Sequence, residues 1–245
     1  MKYLLAVIFA AITVSSYSQS FEGTLTYIVD LDVLPEFIEK TGIDKETLLN
    51  KMKEEDEWSD TIRITYKGGN YHMSLNNGKS CAIYLSSSNK LYLITLSGED
   101  SDVCVVADAS VDKEYAMFGE MPKIEKLDTQ VVVNEINCSI VRVKWKAGVQ
   151  DYYYNSEMFS VNPSLFKKHI HDGLSQFLEI SKALPIQIVK EVNGMTRSTM
   201  TLIYSESKSV DDSLFTIPKL VKDKKTYMKL YNTEIMRVKK AKSKK

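Results

Sequence analysis

Between positions 61 and 96 the chain turns back on itself too often for anything but an antiparallel sheet. The run TIRITYKGGNYHMSLNNGKSCAIYLSSSNKLYLITL alternates apolar and polar residues, and only short punctuation interrupts it: Gly68-Gly69, Asn77-Gly78 and SSSNK. Parallel neighbours need a crossover of a dozen or more residues, so links this short specify hairpins. Ile62 and Ile64 alternate with Arg63 and Thr65. Tyr71, Met73 and Leu75 share one face, with His72 on the other. DVCVVA at 102–107 reads as one more strand.

Strand-like runs recur at 21–32, 131–133, 140–143, 149–154, 185–191 and 198–205, the last two joined by an Asn193-Gly194 turn. Two short helices are expected after the first strand. Leu34, Phe37 and Ile38 form one apolar turn; Asp44 caps a second helix carrying Leu48, Leu49 and Met52, and Gly42 separates the two. The clearest helix is expected between Asn162, a cap, and Pro185. Pro163 suits its first position, and Phe166, Ile170, Leu174, Phe177 and Leu178 recur at helical spacing. Gly173 weakens its middle. The stretch 108–130 reads as a loop beside an opening, with Tyr115, Met117 and Phe118, or as a packed excursion. Neither repeats nor a linker divide the chain, so one antiparallel α+β domain of about ten strands is expected.

Positions 1–18 combine Lys2, an apolar run too short to span a bilayer, and small residues at Ser16 and Ser18, the pattern of a signal peptide. Export to a periplasm or the medium is therefore expected, with a domain over 19–218 and a basic extension over 219–245. The formal charge is zero overall, yet the extension carries eleven Lys or Arg against two acids. Such a tail binds an anionic membrane surface, folds back on the acidic body or stays solvated, and Tyr227, Met228, Leu230, Tyr231, Ile235 and Met236 point to a packed short helix or edge segment within 225–238. Nothing resembles a nucleic-acid module. Cys81, Cys104 and Cys138 allow any one of three disulfides or three buried thiols. His72, His169 and His171 lack metal-ligand spacing and are expected at surface or half-buried positions. No G-x-S-x-G or H-E-x-x-H motif is present, so neither catalysis nor a cofactor is expected.

Three stretches, FEGTLTY, INCSIVRVKWKAGVQDYYYNSEM and LPIQIVKEVNGMTRSTMTLIYSESKSVDDSLFTIP, together resemble the DUF4412 family of exported Bacteroidota-type proteins, which is related in fold to the LolA/LolB lipoprotein carriers. Glu135-Ile136-Asn137 replaces that family's usual Gly-Tyr before Cys138. The resemblance implies a strongly curved antiparallel sheet, an unclosed barrel, with helices covering its concave face. In the carriers that face takes acyl chains. The corresponding expectation is an exported, non-enzymatic, envelope-located binding protein for a lipid, an acylated molecule or another hydrophobic compound. Phe166, Ile170, Leu174 and Phe177 would form the helix wall, and Tyr71, Met73, Tyr84, Tyr92, Trp145 and Met200 the strand wall. Each of these ten either lines a cleft or packs the core. The alternative is a structural or protein-interaction module with a filled core, working through a sheet edge or the basic tail.

Overall fold

A computed structural model describes residues 20–55, 57–97, 102–222 and 233–239. The expected signal peptide at 1–18 and most of the basic extension lie outside the described residues.

Strand β1 (Gly23–Val33) leads into helices α1 (Pro35–Thr41) and α2 (Lys45–Glu54). A meander follows: β2 (Thr61–Lys67), β3 (Asn70–Leu75), β4 (Ser80–Leu85), β5 (Lys90–Thr95) and β6 (Val103–Asp108). Helix α3 (Lys113–Phe118) precedes a second meander of β7 (Lys123–Val133), β8 (Ile136–Lys144) and β9 (Gly148–Tyr154). Helix α4 (Leu174–Ser181) comes before the hairpin β10 (Gln187–Val192) and β11 (Thr196–Ser207), and β12 (Leu220–Lys222) and β13 (Thr233–Val238) close the chain.

All thirteen described strands join one antiparallel sheet in the order β12-β13-β6-β5-β4-β3-β2-β1-β11-β10-β9-β8-β7. β1 sits near the middle, between β2 and β11. Local chemistry sets the punctuation. The Asp44 carboxylate accepts from the Thr47 amide at 2.8 Å to start α2, and Gly42 ends α1 at φ 70°. Gly68-Gly69 supplies the two positive-φ positions of the β2–β3 turn. Lys45 then ties α2 to β1 through Asp30 and Asp32 at 2.8 and 3.1 Å.

Two expectations are corrected. The sheet is not the strongly curved, barrel-like layer that the resemblance implied; it is open and not strongly curled, with β7 and β12 as separate ends. Its apolar side chains show why. A curled sheet gathers its covered residues on one concave side, whereas this sheet is covered on both faces. One core joins Leu25, Tyr27, Tyr71, Tyr84, Val141, Val143 and Tyr152 to Phe166, Phe177 and Leu178 of the 163–184 segment. The other joins Cys81, Ile83, Ile94, Cys104 and Val106 to Val210 and Phe215. Ile83 and Tyr84 are adjacent in β4 and belong to different cores, which places the cores on opposite faces.

The second correction concerns the covering segment, which is not one helix. It breaks into a 3-10 turn at Pro163–Phe166, another at His171–Gly173, and then α4. Asp172 and Gly173 adopt φ 53° and 66°, where no right-handed helix continues. A Cβ at Gly173 would lie 2.8 Å from the Val143 side chain, so the break also lets the backbone sit directly on β8. The expected Asn162 cap and Pro163 start are present, with Asn162 Oδ1 accepting from the Ser164 amide.

The three cysteines are free and buried. Cys81 and Cys104 flank Ile94 across β5. Two strand spacings separate their backbones by about 9–10 Å, beyond the roughly 7 Å limit for a disulfide. Burial, with Cys81 nearby, pushes the Cys104 thiol up to about 11. Three thiols are therefore expected to titrate in denaturant without reductant, and to react far more slowly in the folded protein. Finding a single thiol in denaturant would contradict this arrangement.

Candidate functional site

Most residues expected to line a hollow pack on one another instead. Tyr71 stacks on Tyr84 at 5.3 Å between ring centroids, Tyr84 on Phe166 at 6.3 Å, and Phe177 on Tyr152 at 4.3 Å. Trp145 is buried and donates its Nε1–H to Asp112 Oδ2 at 3.1 Å. Met73, Leu174 and Met200 border the same layer, and Ile170 is half-buried. Tyr92 is not brought to the others. Its strand partner is Ile83, while Tyr84 pairs with Leu91, so Tyr92 packs in the opposite-face core.

A polar cluster missed in the sequence fastens the covering segment to this layer. His169, only 2% exposed, is hydrogen-bonded through Nε2 to the Tyr71 hydroxyl at 2.9 Å and lies edge-on to Tyr84. Its Nδ1 has no hydrogen-bond partner among the described residues. Burial, reinforced by His171, lowers its pKa to about 4. Asn89 accepts from the Tyr84 hydroxyl and donates to the Lys168 carbonyl. The Tyr152 hydroxyl donates to the Asp172 carbonyl, and Lys190 reaches the Asp172 carboxylate at 3.1 Å. Partial burial pushes that carboxyl up, but His171 and Lys190 hold it below its ordinary value.

The open space lies elsewhere on the same face. A cleft of about 690 Å³ has Val29, Ile62, Leu75, Leu93 and Thr95 as its floor, and Met52 and Trp58 as its walls. Strand pairing sets that floor: Tyr27 opposes Ile62, Leu75 opposes Ser80, and Ala82 opposes Leu93. These residues share the face of Ile64 and Tyr71, at the end that the covering segment does not reach. Leu93 is 41% exposed there.

Trp58 is held by its Nε1–H donating to Asp60 Oδ1, and Ser59 bonds Asn76 in the β3–β4 turn. A polar annex of about 320 Å³, lined by Lys53, Asp60, Asn77 and Lys79, continues from the cleft past Trp58. A further cleft of about 640 Å³ lies between Phe21, Met158 and Phe159, but serines, Glu22 and Lys208 complete its walls. Met52, Trp58 and Leu93 were not legible as a site, since a lone Trp after a charged run carries no spacing signal.

Among the described residues no group of three or more His, Cys, Asp or Glu could hold a metal, and no helix is long and apolar enough to cross a membrane. No family model matches the chain, and no curated protein does. Solved structures give distant likenesses. PNGF-II matches in two crystal forms at TM-score 0.41, with 10% and 11% identity over 79% and 80% of this chain. The chain spans under a third of PNGF-II, 29% and 30% of it. The LolA superfamily protein NE2245 from Nitrosomonas europaea matches at TM-score 0.33 and 10% identity, over 81% of this chain and 90% of that one. Likenesses at these scores do not establish a shared fold, and none of the comparisons supports the DUF4412 resemblance.

Proposed function

We propose that this protein is an exported, non-enzymatic carrier or receptor for a hydrophobic or amphipathic molecule of the cell envelope, and that the molecule lies in the cleft between Trp58, Met52 and the uncovered sheet face. One observation carries the reading: large apolar side chains, Leu93 foremost, form the floor of an open cleft next to a layer that is otherwise densely filled. Clefts of this size with an apolar floor suit small-molecule binding, and Glu55, Glu57, Asn76 and Lys79 are among the polar groups that complete this lining. An apolar chain would bury against Ile62, Leu75 and Leu93, each CH₂ contributing about 0.8 kcal/mol. A polar head would reach the annex lined by Lys53 and Asn77. The basic extension would hold the protein near anionic membrane surfaces.

Trp58 is one of only two tryptophans, and the other, Trp145, is buried away from the cleft. Oleate is therefore expected to shift the emission of Trp58 saturably, and Trp58→Phe should abolish the shift. Native mass spectrometry of protein taken from its host envelope should show a bound amphiphile. Protein that arrives clean and ignores oleate and lysophosphatidylcholine would overturn the reading.

The packed aromatic layer under the covering segment favours a second reading, an envelope interaction module with a filled core. Loss of partner association on disrupting a sheet edge, with no ligand uptake by the intact protein, would select it.

A further inference from the structure

We propose that β7, with the apolar ridge that precedes it, forms a two-fold interface between two copies of this chain. Among the described strands β7 ends the sheet and pairs only with β8, leaving an eleven-residue edge. The opposite end, β12, has three residues. A long edge strand is a template for another strand. Among the described strands, the edge of matching length in a second copy is β7 itself, and self-pairing closes as a two-fold dimer rather than a filament.

The ridge is held in place rather than loose. Asp112 caps α3 by accepting from the Tyr115 amide at 2.8 Å and also takes the Trp145 Nε1–H. Gly119 ends the helix in the left-handed region. Tyr115, Met117, Phe118 and Met121 are thereby presented at 46%, 54%, 39% and 54% exposure, and Lys146 lies 5.7 Å over the Phe118 ring. Four large apolar side chains within seven residues, all exposed, mark a contact surface.

The order of chemistry along β7 selects one register. From the ridge the strand runs through Lys123, Glu125, Lys126 and Asp128 into Gln130, Val131, Val132 and Val133, with Val132 66% exposed. Antiparallel pairing about a two-fold axis at Leu127 sets Lys126 opposite Asp128 of the partner subunit, and does so twice. It also lays each ridge toward Val131–Val133 of the partner subunit, apolar on apolar. Moving the axis one residue either way sets Lys126 or Asp128 opposite its own copy, and like charges directly opposed are destabilising. The register shift between Leu127 and Gln130 leaves Asp128 and Thr129 without partners in β8. A bulged, charged edge of this kind discourages foreign strands while still accepting its complement.

Sedimentation velocity on the purified chain over a wide concentration range tests this, with circular dichroism confirming that each variant folds. A monomer–dimer equilibrium is expected. Lys126→Asp should weaken it at least about tenfold, since it opposes two acids twice, and adding Asp128→Lys should restore most of the affinity. Met117→Ser with Phe118→Ser should weaken it too, without changing the Trp58 response to oleate. A monomer at every concentration would overturn the proposal. So would a dimer that the single and double charge variants leave unchanged.

Discussion

Replacing Phe177 with alanine is expected to lower the unfolding free energy by about 3–5 kcal/mol. Phe177 is fully buried. Its ring stacks on Tyr152 at 4.3 Å with a 14° interplanar angle and meets Tyr154 edge-on at 5.9 Å. It is the point at which α4 inserts into the sheet, and the surrounding layer cannot collapse far into the vacated volume. Tyr152 is fixed on one side by its hydroxyl bond to the Asp172 carbonyl, and Leu178 and Val143 are themselves fully buried. Urea unfolding followed by far-UV circular dichroism measures the loss. A cost under about 1 kcal/mol, the range of a surface change, would mean that α4 does not pack on the sheet as described.

Acid should weaken the fold through His169. In the unfolded chain this imidazole titrates near 6.5, whereas in the folded protein burial holds it to about 4. Between those values the unfolded state binds a proton that the native state refuses, so stability falls as pH falls. The contribution is fully present above the unfolded pKa and lost progressively from about pH 6.5 down to about pH 4, by about 3 kcal/mol in total. Asp172, with its pKa below the ordinary value, adds loss in the same direction at lower pH. Urea midpoints at pH 7 and pH 4.5 should therefore differ in the wild type, and His169→Gln should flatten that dependence while keeping a side chain able to bond Tyr71. Equal slopes in the two proteins would remove His169 from the acid response.

Much of the local structure is legible in the sequence, because adjacent residues decide it. Gly68-Gly69 and Asn193-Gly194 can turn where most residues cannot, and Asp44 and Asn162 offer side-chain oxygens to the first helical amides. Alternation within a strand also holds: Tyr71 and Met73 do share a face, opposite His72. Relations between strands are less legible. Whether Leu91 or Tyr92 joins Tyr84 depends on pairing register, which composition does not encode. The break at Asp172 is hidden because its neighbours keep helical spacing, while contact with β8 decides the backbone. His169, expected at a surface or half-buried position, is buried, and Tyr71 satisfies one of its nitrogens there. Within 225–238, where a packed helix or an edge segment is expected, β13 carries one acid and one base and pairs with β6. The curvature expectation came from the family resemblance, and alternation within a strand does not report how far its sheet curls; the two cores on opposite faces do.

The central claim separates a filled half of one sheet face from an open, ligand-taking half, and oleate affinity across two variants tests it most directly. Leu93→Glu puts a charge on the cleft floor and should raise the dissociation constant at least tenfold, equivalent to about 1.4 kcal/mol. Phe166→Leu alters the filled layer and should lower stability while leaving the dissociation constant within about twofold. The reverse outcome, with binding lost in Phe166→Leu and kept in Leu93→Glu, would contradict the claim and move the ligand beneath the covering segment.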